Sequence, residues 1–477
     1  MVNDWEKVTL VDHCQKIGSG ATPRGGSSVY LEEGEIALIR SQNIYNEGFS
    51  KDGLVYITVD AAEKLKNVIV EEDDILLNIT GDSVARVCMV DNSYLPARVN
   101  QHVSIIRPKA ESFNAKFLRY YLTLPYMQQL MLNYSSAGAT RKALTKSMIE
   151  NLEVLQPSIE VQNDIAHILG TLDEKIELNR QMNETLEAIA QALFKSWFVD
   201  FDPVIDNALL AGKAIPEPLK ERAELRQAQL DSGKAKTNSE INDLFPSEFE
   251  FVEELGWIPK GWEVKCFGDL LKSTIGGDWG KPEPDEKHTI PSVIIRGTDI
   301  PDLKKGDRSA APNRWVEAKK LKTRKLEPYD IVIEISGGSP TQSTGRSIII
   351  NENLLERLGG TVEPASFCRR FTPIDKYLGI YAGIHLQKIY DDGKMWGYQN
   401  QSTGIANFQT TSFLEREILV LPNQELLVKY FELVNPLINK MTSNQQIELA
   451  KLRDTLLPKL MSGELRIPDA EKLVADV

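Results

Sequence analysis

Few residues of this chain have the types and spacing to act chemically on a substrate. Asp330 and Glu334, in DIVIE (330–334), alternate along a strand-like run and so share one face. Two carboxylates so placed form half of a metal-dependent nuclease site. The lysine such a site needs two residues further on is Ser336, and the related run DDILLN carries Asp74 but has Asn78 where Glu334 stands. Both aspartates therefore read as turn residues entering a strand. The Gly-rich run GGSPTQSTGRS (337–347) has the wrong spacing for a phosphate-binding loop, and Arg where Lys is required. No Asn-Pro-Pro-aromatic run for amino methylation occurs. The five histidines (His13, His102, His167, His288, His385) form no pair at ligand spacing, and no Ser/His/Asp set can be assembled. Cys14, Cys88, Cys266 and Cys368 stand singly, which indicates neither a zinc site nor a disulfide framework and fits a reducing cytoplasm.

Loops rich in Arg, Asn and Gln suggest binding instead. These side chains read guanine and adenine edges with paired hydrogen bonds, while hydroxyls and lysines hold phosphates. The candidates for contact with DNA in the first half are Arg24, Arg40, Gln42, Asn43, Arg98, Gln101, Thr140, Arg141 and Lys142. In the second half they are Arg296, Gln342, Arg346, Arg370, Gln399, Asn400, Gln401 and Asn407. Taken singly, each is more readily an ordinary surface group. The signal is that such clusters recur in both halves.

The elements that must position them are written twice, at a separation of about 256–266 residues. Trp5-Glu6 returns as Trp262-Glu263, ALIRSQNI (37–44) as VIIRGTDI (293–300), and Asp74 as Asp330. SSAGATRKALTKSMIENLEVLQP (135–157) returns as NQSTGIANFQTTSFLEREILVLP, ending at Pro422. Each copy runs through short β-rich segments, a helix-like stretch (115–132 or 377–390), a polar Gly-bearing loop and a strand that stops at proline. The expected fold is α+β, with two homologous globular domains and approximate twofold symmetry.

After each proline, apolar residues recur at three-and-four spacing. They are Ile165, Leu169, Leu172, Ile176, Leu186, Ile189, Leu193 and Trp197, then Leu426, Tyr430, Leu433, Leu437, Met441, Leu449, Leu452, Leu456 and Leu460. Each seam meets a polar step at Asn179 or Asn444, which either fixes register or faces water. About 40 residues at roughly 1.5 Å give a rod of roughly 60 Å, and two such rods most economically pair antiparallel. Phe194, Phe198 and Leu457 lie off the seam and are candidates for partner contact or for packing on the neighbouring head.

The predicted segments are a first recognition domain (1–156), a first long helix (157–202), a connector (203–255), a second recognition domain (256–421), a second long helix (422–463) and a tail (464–477). In the connector, the segment ending SEFEF reads as loop and PLKERAELRQAQLDS as a short exposed helix. The 477 residues carry 55 Lys and Arg against 68 Asp and Glu, a net −13. The connector holds 11 acidic and 6 basic residues, so −5 of that lies there and −8 elsewhere. A chain without a basic balance does not announce a nucleic-acid partner, and is not expected to hold one tightly alone. No apolar run is long enough to span a membrane.

The helix end ALFKSWFVDFDPV (192–204), the terminal LRDTLLPKLMSGELRI (452–467) and GATRKALTKSMIENLEVLQPSIEVQNDIA (138–166) resemble the specificity (S) subunits of type I restriction–modification systems. WEVKCFGDL after the connector looks like the usual opening of their second half. The resemblance implies two target recognition domains, each reading half of a bipartite, asymmetric DNA site. It implies that the paired helices form an antiparallel coiled coil that sets the spacer and docks two methyltransferase and two restriction subunits. S-adenosylmethionine, ATP and Mg would then belong to those partners, with no cofactor, metal or catalytic residue in this chain. The contrasting expectations are a coiled-coil adaptor whose heads bind proteins, and a nuclease using Asp330 and Glu334.

Overall fold

The computed structural model describes residues 5–136, 142–233, 239–339, 341–402 and 405–475. They form two compact units, residues 1–176 with 449–477, and residues 177–448.

In the first unit, strands Cys14–Ser19, Val103–Pro108, Ile75–Asn78 and Val87–Met89 form an antiparallel sheet in that order. The strands are short, β-branched and almost wholly buried at Ile75–Asn78, as central strands covered on both faces should be. A second sheet runs Val55–Ile57, Ile36–Ile39, Ala97–Val99, Ile69–Val70, and its Ile36–Ile39 and Ala97–Val99 strands are parallel. Glu6–Thr9 pairs with Glu153–Gln156, the strand that stops at Pro157. Helices Ala115–Leu122 and Pro125–Ser136 cover the first sheet through Phe117, Leu118, Met127 and Met131.

The second unit repeats this order. Leu271–Gly276, Cys368–Pro373, Ile331–Glu334 and Ser347–Ile349 form the antiparallel sheet. Asn313–Glu317, His288–Ile295 and Thr361–Pro364 form the second, again with one parallel pair. Glu263–Cys266 pairs with Ile418–Leu421. A small sheet of Ser336–Gly337, Ile405–Phe408 and Gln399–Ser402 follows, where the first unit has the bridge Thr80–Ala143.

Helix Ile159–Phe198 is unbroken over 40 residues. Up to Ile176 it buries Ile165, Leu169 and Leu172 in the first unit, in one core with Leu449, Leu456 and Leu460. Asp173 fastens that assembly, accepting from Tyr120 Oη (2.6 Å), Arg119 Nη1 (3.3 Å) and Arg453 Nη1 (2.7 Å). From Glu177 on, the helix belongs to the second unit, where Phe194, Trp197 and Phe198 pack with Tyr381 and Tyr430.

The second seam is not one helix. It divides into Gln424–Met441 and Gln445–Met461. Asn444 lies exposed in the break and Asn179 is half-buried; a buried polar residue of the long helix is Asn183, one turn further on. Ile189 and Leu433, assigned to the seams, are exposed, and the buried positions beside them are Ala190 and Val434. Phe194, Phe198 and Leu457 are buried in their own units, which selects the packing alternative for them.

The connector folds onto the second unit. Asp202–Leu210 and Lys220–Asp231 are helices, joined by two forked ion pairs, Arg222 to Asp202 (2.7 and 2.8 Å) and Arg226 to Asp206. Phe245 packs on Trp197, and the segment read as loop supplies the strand Phe249–Val252 of a hairpin.

Candidate nucleic-acid interface

Each unit collects its polar loops where strands leave the antiparallel sheet. The close approach there demands glycine. A Cβ on Gly20 would lie 2.0 Å from the Val99 carbonyl oxygen, and one on Gly277 2.1 Å from that of Pro364. Matching bonds follow, Gly20 N–H to Val103 and Gly277 N–H to Cys368, then Ile79 N–H to His102 and Ile335 N–H to Phe367. These bonds align the two units residue by residue, with Arg98 opposite Glu363, Gln101 opposite Ser366 and His102 opposite Phe367.

In the first unit, Thr22 Oγ1 donates to Gln101 Oε1 at 2.5 Å. Gln101 Nε2 lies 3.3 Å from the His102 ring, whose Nδ1 is 2.6 Å from Thr80 Oγ1. Lys142 is exposed beside them, its carbonyl accepting from Gly81 N–H at 3.2 Å. Arg24 is exposed in the neighbouring turn. Arg40 and Gln42 both donate to the Gly53 carbonyl, Gln42 at 3.1 Å, and Arg40 lies over the Tyr30 ring. Thr140 and Arg141 lie outside the described residues.

Two candidates face inward. Asn43 is fully buried, donating to the carbonyls of Ser50 (2.9 Å) and Asp52 (3.2 Å) and accepting from Arg40 N–H (3.0 Å). All of that closes the 40–53 loop. Arg98 is buried on its strand, with Nε to Ala62 O at 3.3 Å and Nη1 to Ala97 O at 3.0 Å.

In the second unit three arginines are matched to buried carboxylates. Arg296 forks onto Asp299 (2.9 and 2.7 Å), Arg346 onto Glu334 (2.9 and 2.6 Å), and Arg370 pairs with Asp330 at 2.8 Å. Bonding to Glu334 raises the Arg346 pKa beyond its ordinary value. Gln342, with its amide oriented to satisfy both groups, accepts from Arg346 at 3.1 Å. The two carboxylates of DIVIE are thus both held by guanidinium groups. Among the described residues no group of three or more His, Cys, Asp or Glu is placed to hold a metal ion.

The outward-facing candidates sit on the small sheet. Asn400 pairs across from Asn407, and Asn407 across from Ser336, so the three share a face. Both asparagines are exposed; Ser336 Oγ donates to Asn407 Oδ1 at 2.9 Å, and the Asn400 side chain has no hydrogen-bond partner among the described residues. Gln399 points to the other face, its Oε1 accepting from Thr344 N–H (2.9 Å) and Oγ1 (3.1 Å). Gln401 lies on the same edge strand, its side chain outside the described residues.

Three residues here were missed from sequence. Phe367 is 64% exposed at its turn, and Trp279 is 38% exposed with the Arg314 guanidinium 5.0 Å from its ring. Their only signal is an aromatic residue inside a Gly- or Ser-bearing turn, GDWG and ASF. Ser336 was weighed only as a missing lysine.

Two units with one sheet plan, each with polar loops gathered at the same sheet edge, match a known class of chain. Residues 2–188 match the family model described as the type I restriction modification DNA specificity domain. Over 98% of its length the chain is 27% identical to the type I restriction enzyme MjaIX specificity subunit of Methanocaldococcus jannaschii, covering 94% of that protein. It is 26% identical to the HindI specificity subunit of Haemophilus influenzae, over 97% of this chain and 100% of that one. The crystal structure of a type I restriction–modification S subunit from M. genitalium shares the fold at a TM-score of 0.51 and 14% identity, over 96% of this chain and 97% of that one. Along nearly its whole length this chain is thus similar to specificity subunits of type I restriction–modification systems, and its residues 2–188 carry the match to their DNA specificity domain.

Proposed function

We propose that this chain is a non-catalytic subunit that reads a bipartite, asymmetric site in double-stranded DNA, one half-site per unit. The carrying observation is the recurrence of one strand order, with polar loops at the same sheet edge, in both units. The two halves are a duplicated plan with a pseudo-twofold relation. Residues 157–202 and 422–463 pair as an antiparallel coiled coil that measures the spacer. Supporting that pairing, Asp173 meets Arg453 in the first unit, and Asn183 meets Met441 while Ala190 meets Tyr430 in the second, so rising numbers face falling ones.

The helices dock two methyltransferase and two restriction subunits, which bring S-adenosylmethionine, ATP and Mg. The exposed apolar residues Leu178, Met182 and Ile189, spaced along one helix face, support docking there. The complex works in the cytoplasm; among the described residues no helix is long and apolar enough to cross a membrane. The net charge of −13 fits a subunit that borrows phosphate contacts from its partners.

Methylation profiling of cells with and without the chain tests this reading. A bipartite methyl-adenine motif that depends on the chain is the expected result. The absence of any such motif, with both heads binding proteins instead, overturns it.

A further inference from the structure

The recognition edges of the two units differ in one respect that bears on what each reads. The turn that carries Gln101 and His102 in the first unit carries Ser366 and Phe367 in the second. Phe367 holds its place through its backbone, the carbonyl accepting from Ile335 N–H at 2.9 Å and Ser336 N–H at 3.3 Å. Its ring is 64% exposed. Exposing a phenyl ring costs free energy that burial would recover. Through Ser336 it is continuous with Asn407 and Asn400, the outward amides of the small sheet.

The chemistry of that strip is specific. An asparagine amide matches adenine N6 and N7, and an apolar side chain beside it matches the one apolar group of the major groove, the thymine 5-methyl. We propose that Phe367 is a specificity-determining residue of the second unit, packing its ring on a thymine methyl in an A·T pair of the half-site that the Asn400–Asn407 row reads. This rests on the DNA-reading function proposed above.

The test uses the assembled modification complex and duplexes carrying its methylated motif, with uracil replacing each thymine of the second half-site in turn. Uracil keeps the pairing and removes only the methyl group. With the wild-type chain, uracil at one position should lower the methylation rate at limiting DNA by about fourfold, the worth of one buried methyl group. The Phe367→Ala complex should be slower on the thymine duplex and indifferent to that uracil, and Phe367→Leu should restore part of the sensitivity. The first half-site should be read unchanged by every variant, which also reports that the chain is folded.

Two results overturn the inference. One is uracil sensitivity that persists in Phe367→Ala or is absent from the wild type. The other is an equal loss on all sequences, which marks a ring wedged between base steps or resting on the backbone. If the wild-type complex has no bipartite motif, the underlying function fails; if it has one and only the uracil result is negative, this inference alone fails.

Discussion

The side-chain amide of Asn183 donates to the main-chain carbonyl of Met441 at 3.2 Å, and to that of Lys305 at 2.9 Å. Met441 is the last residue of its helix, where carbonyls have no partner further along. Asn183 therefore satisfies a helix end from the side, from the middle of another helix. Gly306 lies against the same carbonyl at φ +78°, where a Cβ would come within 2.8 Å of it. The break after Met441 is further held by Asn351, which donates to Thr442 Oγ1 at 2.6 Å.

Replacing Asn183 with Leu keeps the branched shape but removes the donor from the buried Met441 carbonyl and the part-buried Lys305 carbonyl. The second unit should lose roughly 1–3 kcal/mol, read as a lower urea midpoint at unchanged slope. Gly306→Ala should cost at least about 1 kcal/mol from its backbone conformation alone. Unchanged midpoints for both would refute the account of the break.

Glu417 predicts a pH dependence. It is buried and accepts from His385 Nε2 (2.9 Å), Lys394 Nζ (2.7 Å) and Tyr398 Oη (2.7 Å). Burial alone would raise its pKa, and the hydrogen bonds from those three reverse that and hold it at about 2. A depressed carboxylate stabilises above its unfolded value near 4.3, and that contribution is lost as pH falls through about 2. Glu417→Gln should therefore cost roughly 2–3 kcal/mol at pH 7, and progressively less below pH 4. A penalty independent of pH would refute the assignment.

Glu363 predicts the opposite sign. It is fully buried, neither oxygen has a hydrogen-bond partner among the described residues, and burial, with Asp278 adding, pushes its pKa to about 7. A raised carboxyl leaves the fold most stable below the unfolded value near 4.3, and that stability is lost as pH rises to about 7. Glu363→Gln should leave stability at pH 4 nearly unchanged and raise it by roughly 2–3 kcal/mol at pH 8. Denaturation series at the two pH values measure this, and a variant less stable at pH 8 counts against it.

Inserting one helical turn at both Ile176/Glu177 and Glu448/Leu449, where the units part, leaves every contact within a unit intact. The methylated motif should gain spacer and keep both half-sites. Altered half-sites at constant spacer would remove the helices from the measuring role.

The duplicated plan was legible because alternation, turn residues and the proline after the last strand are local signals. Asp74 and Asp330 as turn residues were legible for the same reason, and each accepts the N–H three residues earlier, Glu71 or Glu327. The helix break carried a local signal, since Thr442-Ser443-Asn444 are residues that favour ends over interiors, but apolar spacing on both sides of it masked the interruption. Asn43, Arg98 and Arg346 looked like surface readers because composition cannot say that a loop carbonyl or a carboxylate distant in sequence waits for them. Phe367 was passed over because an exposed aromatic and a core aromatic look alike in sequence.

The alignment of Arg98 with Glu363 has a consequence for how a chain with two similar halves assembles. Both occupy the strand that runs parallel to its neighbour, and both are buried. Arg98 is received by carbonyl oxygens, whereas Glu363 is buried near the Asp278 carboxylate, with Arg324 and Lys320 acting against it. Exchanging the strands would bury a carboxylate against the carbonyl oxygens that now receive Arg98 and take the guanidinium away from them, each without solvent. Opposite charge at one matched position thus penalises strand exchange between the halves during synthesis, a hazard that tandem homologous domains otherwise share.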